Sequence, residues 1–156
     1  MNALRGAALV AATTAMGLMA GVFWLYAHTI MPGLRRTDDR TFVGAFQAID
    51  RAIVNPWFLP MFFGALVLTG AAAALSDGAV LAWTLAAFVL YLAVVAITFR
   101  VHLPRNDAIK ASTDPDLATV RARFDEATWA RWNVVRALAS TAALACLAWG
   151  LAEYSP

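Results

Sequence analysis

A single cysteine, two histidines and little charge mark this chain of 156 residues. One thiol, Cys146, excludes an intrachain disulfide and argues against a thiol-redox pair; inside an apolar run it reads as packing. Asp, Glu, Lys and Arg supply 14% of the residues, where soluble domains carry about 25%. There is no Gly-rich phosphate loop, dinucleotide fingerprint, CxxCH haem attachment or GxSxG nucleophile elbow. No nucleotide, flavin or attached haem is therefore held by a familiar motif, and the cofactor is left unassigned. Internal repeats and low-complexity tracts are also missing. A chain of this length accommodates one domain, 1–156.

What the chain does have is apolar length. Hydrophobic residues make up 62% of it. Residues 7–30, 57–75 and 79–99 hold no Asp, Glu, Lys or Arg, and 134–152 holds only Arg136. A helix of about 20 apolar residues crosses the hydrocarbon core. The pattern therefore predicts four spans, at about 7–31, 57–75, 79–102 and 117–152, the last projecting from the membrane. The first run is longer than the ~7–15-residue core of a signal peptide, and Trp24 and Tyr26 suit a membrane interface.

The expected fold class is all-α: an integral membrane four-helix bundle with an amphipathic interfacial helix between spans one and two. That helix, 38–54, sets Phe42, Phe46, Ile49 and Ile53 on one stripe and Arg40, Gln47 and Arg51 opposite. It suits either the membrane surface or a cap over the bundle mouth. Met31-Pro32-Gly33 is expected to break the first helix, and Ser76-Asp77-Gly78 to make a tight turn. After His102 a loop should run to Asp114-Pro115. From Asp116 the pattern stays helical to the end of the fourth span.

Of the twelve basic residues, four follow the first span and seven lie from Arg100 to Arg136. The positive-inside rule then puts the two long loops in the cytoplasm and both termini outside, in a bacterial inner membrane. Eight acidic residues on the same side nearly balance that charge, so no nucleic-acid partner is implied.

The remaining polar residues gather at one end of the spans: His28, His102, Trp129, Trp132, Asn106, Asn133, Arg100 and Arg136. Ionisable groups at a hydrocarbon boundary are costly and often mark a site. At 100° per residue, Arg121, Asp125, Trp129, Trp132, Asn133, Arg136 and Ser140 fall within an arc of about 120°. Such a stripe faces the bundle interior or a hydrated cavity. Thr84, Phe88, Tyr91, Thr98 and His102 share a face of the third helix. Thr14, Gly17, Gly21, Trp24 and His28 share one on the first, where the Gly17–Gly21 spacing favours close helix approach and turns His28 inward. A neutral imidazole can take a proton near pH 7 and is also a common metal ligand. Two histidines without HxxH or ExxH spacing fall short of a three- or four-ligand set, so a metal on His28 and His102 stays open. An interhelical hydrogen-bond network with no ligand is the competing account of the stripe.

These residues resemble the anthrone oxygenase family of small four-span membrane proteins, many of whose members have no assigned function. The resemblance is carried by His28 with Met31-Pro32, by Phe46-Gln47 with Asn55-Pro56, by Leu103-Pro104-Arg105-Asn106-Asp107-Ala108-Ile109, and by Trp129 with Trp132-Asn133 and Arg136. It implies oxidation of an anthrone-like aromatic polyketide to its quinone with molecular oxygen, the activity of a monooxygenase-type oxidoreductase. Such chemistry needs a base, an apolar aromatic slot and cations near the developing anion. On our own reading of the residues, His28 or His102 is the candidate base, and Arg100 or Arg136 the candidate stabiliser of enolate or superoxide. Phe46, Asn55, Tyr91, Asn106, Trp129, Trp132 and Asn133 are candidate substrate contacts. The partners would be a hydrophobic aromatic small molecule, oxygen and the bilayer. The alternative from another class is a non-catalytic membrane module that binds a lipid, a quinone or a protein partner; a transporter fits less well, because four short spans without repeats offer little pathway.

Overall fold

The computed structural model describes residues 2–154. Among them there are helices and short connections, with no strand. Four helices form the bundle: α1 (Asn2–Leu25), α4 (Phe58–Ala74), α5 (Gly78–Ile97) and α8 (Glu126–Glu153). Four more, α2 (Met31–Arg35), α3 (Asp39–Ile53), α6 (Leu103–Ala111) and α7 (Leu117–Phe124), build a second layer across one end. Around the ring, α1 packs on α4, α4 on α5, α5 on α8, and α8 back on α1.

Three of the helical stretches are long and apolar enough to cross a membrane by themselves. The fourth, α4, has 17 residues, about 26 Å of helix against a core of about 30 Å. It meets α3 at 58°, and the two together form a bent fourth candidate. The protein is thus a helical membrane protein with three to four spans.

The two layers are held by different physics. Inside a bilayer, lipid is as apolar as leucine, so helices associate through close packing. Accordingly Leu9, Ala12, Met16, Met19 and Phe23 on α1 meet Ala65, Ala87, Tyr91, Ala143 and Leu147 in one core. Small residues permit the approach: a Cβ on Gly70 would come within 3.2 Å of the Phe88 ring, and one on Gly150 within 3.4 Å of Trp83 Cβ. Hydroxyls in this apolar interior satisfy themselves on the preceding turn, as Thr69 does on Ala65 O and Thr84 on Val80 O. Beyond the bundle end, a second core of Met31, Phe42, Val43, Phe46, Ile109, Val120, Phe124 and Trp129 fills the cap layer. There the hydrophobic effect operates, at about 1.5–3 kcal/mol for a fully buried large side chain. The amphipathic helix therefore turns its stripe onto the bundle mouth as a cap.

Each of the cap-layer starts has a local cause. Asp38, Asp116 and Asp125 are N-caps whose carboxylates accept from the amides of Thr41, Thr119 and Thr128. Asp125 adopts φ +54°, a left-handed conformation that aspartate tolerates. It closes α7 and opens α8, so the long last helix read from the sequence is broken there. Gly78 supplies the φ of +52° needed by the tight turn before α5.

The two prolines after the first and third spans do not end their helices. Each follows a widened turn, Tyr26–Ile30 or Thr98–His102, in which the amide of Met31 bonds Tyr26 O and that of Leu103 bonds Thr98 O, five residues back. Proline lacks a donor and crowds the carbonyl four residues earlier. Widening the turn just before Pro32 and Pro104 lets the chain continue as α2 and α6. The segment after His102 that was expected to be a loop is helical through Ala111 for this reason.

Candidate functional site

Bundle and cap enclose a cavity of about 390 Å³ where they meet. It lies at the end remote from the N-terminal end of α1, whose Arg5 binds Asp77 and Leu75 O at the opposite turn. Tyr26, Phe62, Thr98, His102, Trp129 and Arg136 contribute from the bundle helices; Phe46, Asp50, Asn106 and Lys110 contribute from the cap.

Trp129 is the hub. Its indole meets the His102 ring edge-on at 4.8 Å, Tyr26 at 5.8 Å and Phe46 at 5.8 Å. Arg136 lies 5.6 Å over the same ring and 4.6 Å over Phe23. The indole N–H donates to Asn106 Oδ1 at 2.8 Å, and Asn106 Nδ2 donates to Asp50 Oδ1 at 2.7 Å. Lys110 closes the series on Asp50 Oδ2 at 2.9 Å and on Asp107 at 3.1 Å. A chain of polar contacts thus runs from the cavity wall through the cap to an ion cluster.

Arg136 is 7% exposed. Its guanidinium donates to Thr98 Oγ1 at 3.1 Å and to Asn133 Oδ1 at 2.8 Å, while Nε has no partner. No carboxylate among the described residues forms an ion pair with it. Asn133, wholly buried, is oriented by its own donation to Phe23 O at 3.0 Å. Thr98 passes its proton to Val94 O, leaving its oxygen to accept from the arginine. His102 is 1% exposed, and no side chain hydrogen-bonds either ring nitrogen; the polar groups that face the ring are the backbone of Ile97 and of Trp129. A buried cation without an anion is costly, and a buried imidazole faced only by backbone groups is incompletely satisfied. Both line one apolar cavity.

The sequence-predicted residues separate cleanly. His102, Arg136, Phe46, Asn106 and Trp129 line the cavity, and Asn133 stands behind Arg136. Tyr91 is buried in the bundle core, its hydroxyl on Phe62 O at 3.0 Å. Asn55 is a turn residue: its side chain accepts from the amides of Trp57 and Phe58 and donates to Ala52 O. Trp132 is half-buried outside the cavity lining, and Arg100 is exposed.

His28 is exposed as well, with Nδ1 2.6 Å from Thr29 Oγ1, and does not share the cavity with His102. The expected inward face of α1 was chosen by Thr14, Gly17 and Gly21. Gly17 and Trp24 of that face do meet the last helix, at Leu144 and Thr141, but Thr14 satisfies its hydroxyl on Val10 O and Gly21 meets nothing. Burial follows Leu9, Ala12, Met16, Met19 and Phe23 instead. A donor set of two histidines therefore does not form, and no group of three or more His, Cys, Asp or Glu among the described residues is placed to hold a metal. Arg121 and Asp125 also leave the stripe. Arg121 ties Thr37 O, Arg35 O, Asp39 and Glu126 together over the Phe42 ring, while Asp125 pairs with Arg105.

Tyr26, Asp50 and Lys110 are site residues that the sequence reading missed. Asp50 had a readable signal: it continues the Phe42, Phe46 stripe at the next i+4 position, an acid on an apolar face.

The geometry defines a class: a small helical membrane protein with an aromatic cavity floored by an unpaired arginine and histidine under a helical cap. Its lineage follows from comparison with known proteins. The family model described as anthrone oxygenase matches residues 55–146, more than half of the chain, and the protein belongs to that family. The match takes in α4, α5, α6, α7 and most of α8, and with them His102, Asn106, Trp129 and Arg136. Neither a curated protein nor a solved structure matches the chain.

Proposed function

We propose that this protein is an oxygenase that takes an anthrone-like, or similarly acidic aromatic, hydrophobic substrate and molecular oxygen in the cavity beneath the cap. The observation that carries the reading is the pairing of Arg136, buried without a carboxylate, with His102, buried without a side-chain partner, on one aromatic-walled cavity. Family membership supports the oxygenase class.

In this scheme a free nitrogen of His102 accepts a proton from the central methylene of the substrate. The electron pair left behind delocalises onto the carbonyl oxygen, where the Arg136 guanidinium stabilises the anion. The electron-rich carbanion passes one electron to dioxygen, the substrate radical and superoxide combine into a carbon–oxygen bond, and the resulting peroxide takes back the proton held by His102. Loss of the second methylene hydrogen with O–O cleavage then gives the quinone carbonyl and water. Anthrone and dioxygen thus balance quinone and water with no further reductant. Phe46, Phe62 and Trp129 form the slot, and Asn133 holds the arginine. The basic loops and the cap would face the cytoplasm, with both termini outside; a reporter fused after Pro156 should read as external.

The test is oxygen uptake by the protein in lipid nanodiscs on a panel of anthrones, corrected for spontaneous oxidation. Expected are equal amounts of oxygen consumed and quinone formed, and a loss of about 10²–10⁴-fold in His102→Ala, typical of a removed base. A protein that binds hydroxyquinones in this cavity yet never exceeds the spontaneous rate would be a binding module, and the oxygenase reading would fall.

A further inference from the structure

The cavity lining holds two unlike groups of side chains. One is Asp50, Asp107 and Lys110, tied together in the ion cluster that joins α3 to α6. The other is Val54, Leu59, Phe63, Phe99 and Leu103, and every one of these is exposed, from 37% for Leu59 to 62% for Val54. They come from the start of α4 and its approach, and from the end of the third span. Helices α4 and α5 are neighbours in the ring, so these side chains lie along the seam where the start of α4 meets the end of the third span.

A passage used from water would not be rimmed by five exposed apolar side chains, since each would cost free energy against solvent. Against acyl chains the same side chains cost nothing. Two markers set the level. Trp57, 80% exposed, stands beside the seam at the start of α4, and exposed Arg100 follows Phe99. Tryptophan and snorkelling arginine sit where hydrocarbon meets headgroups. Aromatic molecules carrying a few polar groups concentrate at that depth.

We infer that the seam between α4 and the third span, bordered by Leu59, Phe63 and Phe99, is a lateral portal through which the aromatic ligand passes from the bilayer into the cavity. The ion cluster of Asp50, Lys110 and Asp107 closes the aqueous side. This rests on the reading of the cavity as an aromatic-ligand site. It adds the route, and with it a class of substrate: one dissolved in the membrane when it is captured.

A passage differs from a binding contact in its kinetic signature, because obstructing it slows arrival and departure alike and leaves the equilibrium alone. In a Cys146→Ser background, Leu59→Cys, Phe63→Cys, Val67→Cys and Asp107→Cys would each be placed in nanodiscs and labelled with N-cyclohexylmaleimide. Association and dissociation of 1,8-dihydroxyanthraquinone would be followed by quenching of tryptophan fluorescence. Each labelled protein is compared with its own unlabelled form, so effects on folding cancel. Val67 is exposed on α4 away from the cavity and serves as the control. Labels at 59 and 63 should slow both rates together by about tenfold, with Kd changed less than about threefold, while the label at 67 changes neither. Unchanged rates at 59 and 63, or slowing by the label at 107 instead, would overturn the portal. So would a shift in Kd alone, which would make these residues part of the binding surface. Failure of the unlabelled parent to bind the probe at all would instead refute the cavity reading on which the portal rests.

Discussion

Replacing Arg136 by methionine separates a functional charge from a structural one, because the two roles predict opposite outcomes. The side chain makes two hydrogen bonds, at 2.8 and 3.1 Å, and bonds to a charged group are worth about 1.5–3 kcal/mol each. Losing the donor also leaves buried Asn133 Oδ1 unsatisfied, at about 1–3 kcal/mol. Against these losses stands the removal of a charge held out of water without a carboxylate, whose burial costs several kcal/mol. Methionine keeps an unbranched stem beside Phe23. The opposing contributions are similar in size, so Arg136→Met should change stability by no more than about 2 kcal/mol, or about 4–8 °C in a chain of this length. Turnover should behave differently, falling by about 10²–10³-fold as when one preorganised donor to a developing oxyanion is lost. Arg136→Lys keeps the charge without the planar fork and should lie between. Thermal melting in detergent and oxygen uptake in nanodiscs read the two effects separately. A melting point lowered by more than about 15 °C with turnover retained in the surviving folded protein would make Arg136 a strut and refute the reasoning.

Three further outcomes follow from the geometry. His28→Ala and Arg100→Ala, both outside the cavity, should leave oxygen uptake within about twofold of the parent, whereas a loss comparable to His102→Ala would restore the two-histidine site. Asn106→Leu removes the link between Trp129 and Asp50 and should cost about 1–3 kcal/mol for the groups left unpaired; an unchanged melting curve would show that this chain of contacts does not hold the cap. The carboxyl of Asp38 is held below its ordinary range by the Thr41 amide and hydroxyl, and that of Asp116 by the Thr119 hydroxyl and amide. A depressed folded pKa gives stabilisation that is present above the unfolded value, about 3.9, and lost as pH falls through the lower folded one. Amide exchange in the first turns of α3 and α7 should therefore accelerate below about pH 4 relative to α4, whose start has no acidic cap, and Asp38→Asn should flatten the response for α3.

Much of the architecture is legible in the chain because membrane insertion is a one-dimensional filter. Apolar length alone finds the four bundle helices, and a tight turn such as Ser76-Asp77-Gly78 needs only its glycine. The buried faces of α5 and α8 are legible for a related reason. Thr84, Tyr91 and His102, like Trp129, Asn133 and Arg136, sit at helical spacing, and lipid cannot satisfy most of their polar atoms. The break at Asp125 could have been read too, since Asp125-x-x-Thr128 repeats the capping pattern of Asp38-x-x-Thr41 and Asp116-x-x-Thr119.

Tertiary structure alone decided the rest. Thr14 and the glycines of α1 made a plausible inward face for His28, but a threonine bonded to its own helix carries no information about neighbours. Proline is a helix breaker in sequence terms, and only the widened turns before Pro32 and Pro104 let α2 and α6 extend into a cap. Asp50, Asn106 and Lys110 lie 56 and 60 residues apart across the Asp50 contacts, and no local spacing announces that they meet. What local sequence determines is which residues lie on one helix face and which helices cross the membrane. Whether an arginine finds an anion, or a histidine a side-chain partner, depends on groups brought in from other elements, and among the described residues the fold brings none to Arg136 or His102.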